Sequence, residues 1–195
     1  MNVNSRSPRE FRLAQFRAFR VTKIRDNSML DTRLLVIVDE SPASERAVKY
    51  VGKFAGGRKG FHICLVHVLP PFPPRLLEHG GAEDPAKEAR LEADLKSAQR
   101  RWTSDAKKKL QKVLDKSRAV LQKAGVPARA MQTLFCEPEE GPYAARSILN
   151  MARECRSRTV VVGRRSVSWF HELFSQELSE ELLRHGKGFC VWAVE

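Results

Sequence analysis

The chain has 195 residues, 42% of them hydrophobic, and a formal net charge of +12. It is long enough to bury a core, and no apolar run approaches the ~20 residues a membrane-spanning helix needs. The charge is unevenly spread: residues 1–30 carry +5, residues 87–129 carry +8, and the remainder sums to −1. A near-neutral core with a basic tail and one basic helix argues against a nucleic-acid binder built on the whole domain, though a polyanion patch on 87–129 stays open beside the blander reading of a solvated helix face.

Residues 1–30 form a basic extension, Arg-rich with Phe11, Phe16 and Phe19, and they precede a domain over 31–195. Three readings of the extension stand side by side. It is an amphipathic basic helix that binds or orders, a targeting peptide, or an upstream stretch before a true start at Met29.

From residue 33 the pattern alternates. The run 34–38 reads as a strand ending at Asp39. Ser41 then caps a helix with Pro42 in its first position. Ala47, Val48, Val51 and Phe54 give that helix its stripe, and Gly56-Gly57 ends it. Residues 62–69 read as a second strand, stopped by Pro70-Pro71-Phe72-Pro73-Pro74, which opens a long loop over 70–86. Over 87–124 apolar residues from Leu91 to Leu121 recur every three or four positions on one face, which predicts the longest helix. A third strand over 128–135, a helix over 143–155, a fourth strand over 159–163, a helix over 169–185 and a fifth strand from Phe189 to Val194 follow.

Strands with continuous apolar runs, alternating with helices, predict a parallel sheet covered on both faces. Ligands in such sheets sit beyond the carboxyl ends of the strands, where strand order reverses. That rim gathers Asp39, the loop after Leu69 and the loop after Gly163.

Cys64, Cys136, Cys155 and Cys190 show no metal-ligand spacing. Cys64 and Cys190 lie in apolar strands and read as buried thiols. Reduced cysteines without a secretory signal point to the cytoplasm. His67 sits mid-strand and reads as a core histidine, while His79, His171 and His185 are scattered. The acidic clusters Glu83-Asp84 and Glu137, Glu139 and Glu140 read as solvated loops. No serine elbow, Cys–His motif or Walker lysine is present. Ser41, Ser166 and Ser175 carry hydroxyls open to phosphorylation, with nothing to single one out. Trp169-Phe170 mark either a docking surface or packing under the long loop.

The ordered set Leu35-Val36-Ile37-Val38-Asp39-Glu40-Ser41, Leu65-Val66-His67-Val68, Glu137-Pro138 with the helix after it, Val160-Val161-Val162-Gly163 and Leu178-Ser179-Glu180-Glu181-Leu182-Leu183-Arg184-His185 resembles the universal stress protein family. The resemblance covers about 32–195. It implies a doubly wound α/β fold with five parallel strands in the order 3-2-1-4-5 and helices on both faces. It also implies a homodimer through the last strand, whose edge would otherwise stay unpaired.

ATP-binding members of that family carry G-x-x-G, nine residues, then G-[ST]. Here the register runs Gly163, Arg164, Arg165, Ser166, nine residues, then Gln176 and Glu177. Only the first glycine is kept. Gln176 adds a side chain where backbone would approach phosphate, and Glu177 sets a carboxylate beside it. Asp39, Val68 and Val162 match the family's adenosine-side positions, and Arg164 and Arg165 are placed to offset lost glycine amides. In the competing reading Asp39 caps the following turn and the arginines are solvated.

The expectation is a stress-response module with a degenerate nucleotide site, acting by ligand or partner binding. Tight ATP binding is not expected, and a weak adenine nucleotide or another small anion stays open. Two alternatives remain: an ATP-binding member with slow hydrolysis, the sole activity in view, and a polyanion binder through 87–129.

Overall fold

The structure is a computed structural model that describes residues 32–78, 80–81, 83–137, 144–164 and 178–195. Its strands are β1 (Arg33–Ile37), β2 (His62–Val68), β3 (Met131–Cys136), β4 (Thr159–Gly163) and β5 (Cys190–Val194), with helices α1 (Pro42–Ala55), α2 (Pro85–Lys123), α3 (Ala144–Glu154) and α4 (Leu178–His185) between them. All strands pair in parallel, in the order β3-β2-β1-β4-β5.

Period-two alternation sends the strand residues to two cores. Leu34, Val36 and Val38 meet Ala47, Val48 and Val51 of α1 and Leu114 and Leu121 of α2. Leu35 and Ile37 meet Ile148, Leu149 and Ala152 of α3 and Leu182 of α4. A sheet buried on both sides explains why the strands read as unbroken apolar runs rather than alternating ones. The chain winds outward through β2 and β3, then crosses β1 to lay down β4 and β5. The switch therefore falls between β1 and β4.

Local chemistry sets the helix ends. Ser41 Oγ accepts the Ser44 N–H at 3.1 Å, and Asp84 Oδ1 accepts the Ala86 N–H at 2.9 Å. Each cap is followed by proline, whose fixed φ and missing N–H suit the first helical position. Gly125, at φ 92°, turns the chain out of α2 in a conformation that favours glycine. The end of α2 lies so close to α1 that a Cβ on Gly56 would meet the Ala124 carbonyl oxygen at 1.9 Å.

Three expectations need correction. The third strand starts at Met131, because Ala128–Ala130 forms a 3-10 turn closed by the Ala130 N–H on the Pro127 carbonyl at 2.9 Å. Cys190 is exposed, not buried. It opens a strand that, among the described residues, pairs with β4 alone, so an apolar run there does not imply cover on both sides. The long loop ends at Asp84 rather than at residue 86, because Asp84 caps a helix that starts at Pro85, and within the loop Pro74–Leu76 forms a 3-10 turn. Leu76 is buried, its carbonyl accepts Gln99 Nε2 at 2.8 Å, and Phe72 packs on Trp102 with ring centroids 5.1 Å apart. The segment 169–177 of the expected last helix lies outside the described residues, as do Trp169 and Phe170.

Candidate functional site

The carboxyl ends of β1 and β4 bring Asp39, Gly163 and Arg164 to one rim. Asp39 follows β1 and is partly buried. Its Oδ1 accepts both the Ser41 N–H at 2.8 Å and the Ser41 hydroxyl at 2.5 Å. The Asp39 N–H donates to Ser44 Oγ at 2.9 Å. Asp39 thus organises the first turn of α1, as the capping reading expects, and Ser41 in turn caps the helix.

Gly163 has a packing reason of its own. A Cβ there would stand 2.4 Å from the Ala43 carbonyl carbon and 2.7 Å from the Ser44 nitrogen. The first turn of α1 rests on the end of β4, and only a residue without a side chain allows it. The glycine that looks like the start of a phosphate loop is required by this contact.

Arg164 leaves the rim sideways. Its N–H donates to the Val194 carbonyl at 2.7 Å, and its guanidinium pairs with Glu195 at 2.5 Å. Val68 and Val162 are 3% and 0% exposed, inside the core beneath α3 and α4. Arg165, Ser166, Gln176 and Glu177 lie outside the described residues.

His67 is buried, and its Nδ1 donates to the Val38 carbonyl at 2.6 Å. That bond fixes the tautomer, so Nε2 carries a lone pair, which has no partner among the described residues. Burial pushes its pKa below the ordinary 6.5, against the opposing pull of the Val38 carbonyl, Asp39 and Glu40.

Next to the rim, a cavity of about 260 Å³ opens between the first turn of α1 and the middle of α2. Asp39, Glu40, Ser41 and Glu45 line one wall, and Lys112 and Lys116 the other. Lys116 reaches Glu45 at 3.3 Å, and Lys49 reaches the other Glu45 oxygen at 2.9 Å. Both lysines, Lys49 foremost, hold the Glu45 carboxyl below its usual range. Sequence reasoning missed this wall. The i, i+4 spacing of Lys112 and Lys116 was the available signal, but nothing local shows that it faces α1.

Basic residues elsewhere on α2 are also engaged. Lys107 pairs with Glu137 at 2.8 Å, and Lys96 pairs with Glu92. Part of the helix's positive charge is met within the domain.

The strand order defines a doubly wound α/β domain whose direction of winding reverses between β1 and β4. The universal stress protein family model matches residues 32–188, and the chain belongs to that family. No curated protein sequence matches it. Among solved structures it is similar to the universal stress protein from Archaeoglobus fulgidus in complex with dAMP, at 16% identity and TM-score 0.50, covering 84% of this chain and 97% of that one. It is also similar to a universal stress protein in complex with cAMP, at 14% identity and TM-score 0.51, covering 84% and 96%. Identities this low establish the shared fold alone.

Proposed function

We propose that this protein is a universal stress module whose nucleotide rim has been altered, so that it works by binding a weak adenine ligand or a partner rather than by tight ATP capture. One observation carries the reading: the sequence sets Gln176 and Glu177 where ATP-binding relatives keep glycine and a hydroxyl. A carboxylate near a phosphate oxygen costs about 1 kcal/mol or more even in strong solvent screening. The rim geometry agrees. Oδ1 of Asp39 is engaged by Ser41, and Arg164 pairs with Glu195, so both rim groups already spend part of their hydrogen-bonding capacity within the domain. Solved relatives carrying dAMP and cAMP make an adenine nucleotide the ligand class to test first.

Titration calorimetry with ATP and magnesium, and separately with AMP, tests the proposal. The expected Kd is near millimolar, about −4 kcal/mol. A micromolar Kd for ATP sinks the altered-rim reading and brings forward the slow hydrolase.

The same reading includes a homodimer through β5. Among the described residues that strand pairs on one side only, and Tyr50 and Trp192 line a shallow recess along it. A twofold mate would complete the sheet and cover that recess. Native mass spectrometry reads the state directly, and a monomer at micromolar concentration rejects it.

A further inference from the structure

Away from the rim, on the face covered by α3 and α4, two cysteines and a glutamine meet. Cys64 lies in the middle of β2 and is 3% exposed. Cys155 caps the end of α3 and is half-buried. Their sulfurs are 2.8 Å apart, though the residues are 91 positions apart in sequence. A disulfide bond is about 2.05 Å long, so bonding asks for less than about 1 Å of approach. Both thiols are free.

The pair is built rather than incidental. Gln132 is the register partner of Cys64 on β3, and its Nε2 donates to Cys64 Sγ at 2.7 Å and to Cys155 Sγ at 3.5 Å. Cys155 is fixed by a double-bonded helix end. The Ser157 N–H reaches the Ala152 carbonyl at 2.8 Å, and the Arg156 N–H reaches that of Arg153 at 3.0 Å. Arg156 takes φ 54° to close it, the left-handed turn that usually belongs to glycine.

We infer that Cys64 and Cys155 are a reversible redox pair, which a peroxide converts to a disulfide tying the end of α3 to the centre of the sheet. Exposure assigns the roles. The sulfur of Cys155, the less buried residue of the two, attacks a peroxide oxygen; the O–O bond breaks, a sulfenic acid forms, and the released hydroxide takes a proton to become water. The buried Cys64 sulfur then attacks the sulfenic sulfur. The S–S bond forms, the S–O bond breaks, and the second water leaves. Two thiols give up two protons and two electrons, and one peroxide takes them. The hydrogen bond from Cys64, assisted by that from Gln132, lowers the Cys155 pKa against the opposing effects of burial and Glu154. The Cys64 thiol is raised, by its bond to Cys155 and by burial. A dithiol reductant entering at Cys155 reverses the bond.

The test treats the full chain with hydrogen peroxide, quenches it in acid and denaturant, and counts thiols. The expected result is a fall from four thiols to two, a mass loss of about 2 Da from two departing hydrogens, and a peptide joining Cys64 to Cys155. Dithiothreitol should restore all four. A Cys136→Ser, Cys190→Ser variant keeps only the pair and should give the same linked peptide. In Cys64→Ser, dimedone should trap the sulfenic acid on Cys155. Four thiols persisting in the wild type, or oxidation confined to the exposed Cys190, overturns the inference. The wild-type peptide map decides even if a variant fails to fold.

Discussion

The two ends of α2 share one helix and one apolar stripe but not one environment. Towards its end, Leu114 and Leu121 are fully buried, Ser117 is buried, and Ala124 sits on the glycines of α1. Towards its start, Leu91 is 36% exposed, and the described contacts come from the proline-rich loop: Phe72 on Trp102 and the Gln99 bond to Leu76. Periodicity foretells a helix from either half equally well. It says nothing about what fills the stripe, because that depends on partners distant in sequence.

The largest effect expected from breaking this comparison is at the buried end. Leu121→Ala should cost about 2–5 kcal/mol, the transfer of the lost side chain plus the cavity it leaves in a packed core. Leu91→Ala should change stability by about 0.5 kcal/mol or less, as surface substitutions do. Urea unfolding of the two variants measures both. Equal losses would mean the two halves are packed alike, and the contrast would fail.

How much of this was legible follows the same division. Strand runs and caps are local: Ser41-Pro42 and Val160–Gly163 announce themselves, and the parallel sheet follows from them, whereas Asp84-Pro85 reads as part of an acidic loop although it caps α2. The site was less legible because its causes are not local. Gly163 looked like a phosphate loop, while the need for it comes from Ala43. Arg164 looked available to an anion, while its partner is Glu195, 31 residues away. Cys190 looked buried because an edge strand and a central strand can be written with the same residues. Cys155 gave no local sign of meeting Cys64. The 3-10 turn at Ala128–Ala130 misled for the opposite reason: Ala128-Arg129-Ala130 after Pro127 suits a turn or a strand, and only the hydrogen bond decides.

The next effect is titratable and lies on the same face of the sheet as α1 and α2. His67 follows Leu65 by two residues on β2, and Leu65 packs into that core. Its folded pKa is depressed, so the unfolded chain binds the proton more readily. The neutral histidine's contribution is present above the unfolded value near pH 6.5 and is lost as the pH falls from there through the depressed folded value. The physical cost is an imidazolium whose Nε2–H has no partner among the described residues. His67→Gln has no titrating ring and keeps an amide to donate to Val38. Its stability should decline less between pH 7 and pH 5, read by urea midpoints. Matching slopes for wild type and variant would remove His67 as the cause.

The last effect lies in the half of α2 that the loop covers, and it sharpens the comparison most. Trp102→Ala removes the ring that packs on Phe72, worth about 1 kcal/mol for an aromatic pair of this kind. The loss should be local rather than global, because the loop and the first turns of α2 add little to the buried core. Hydrogen exchange separates the two cases. Amides over 85–105 should exchange faster in the variant, while those around Leu114 and Leu121 keep their protection. Faster exchange along the whole helix would show that α2 opens as one unit, so that the loop braces the buried end as firmly as the exposed one.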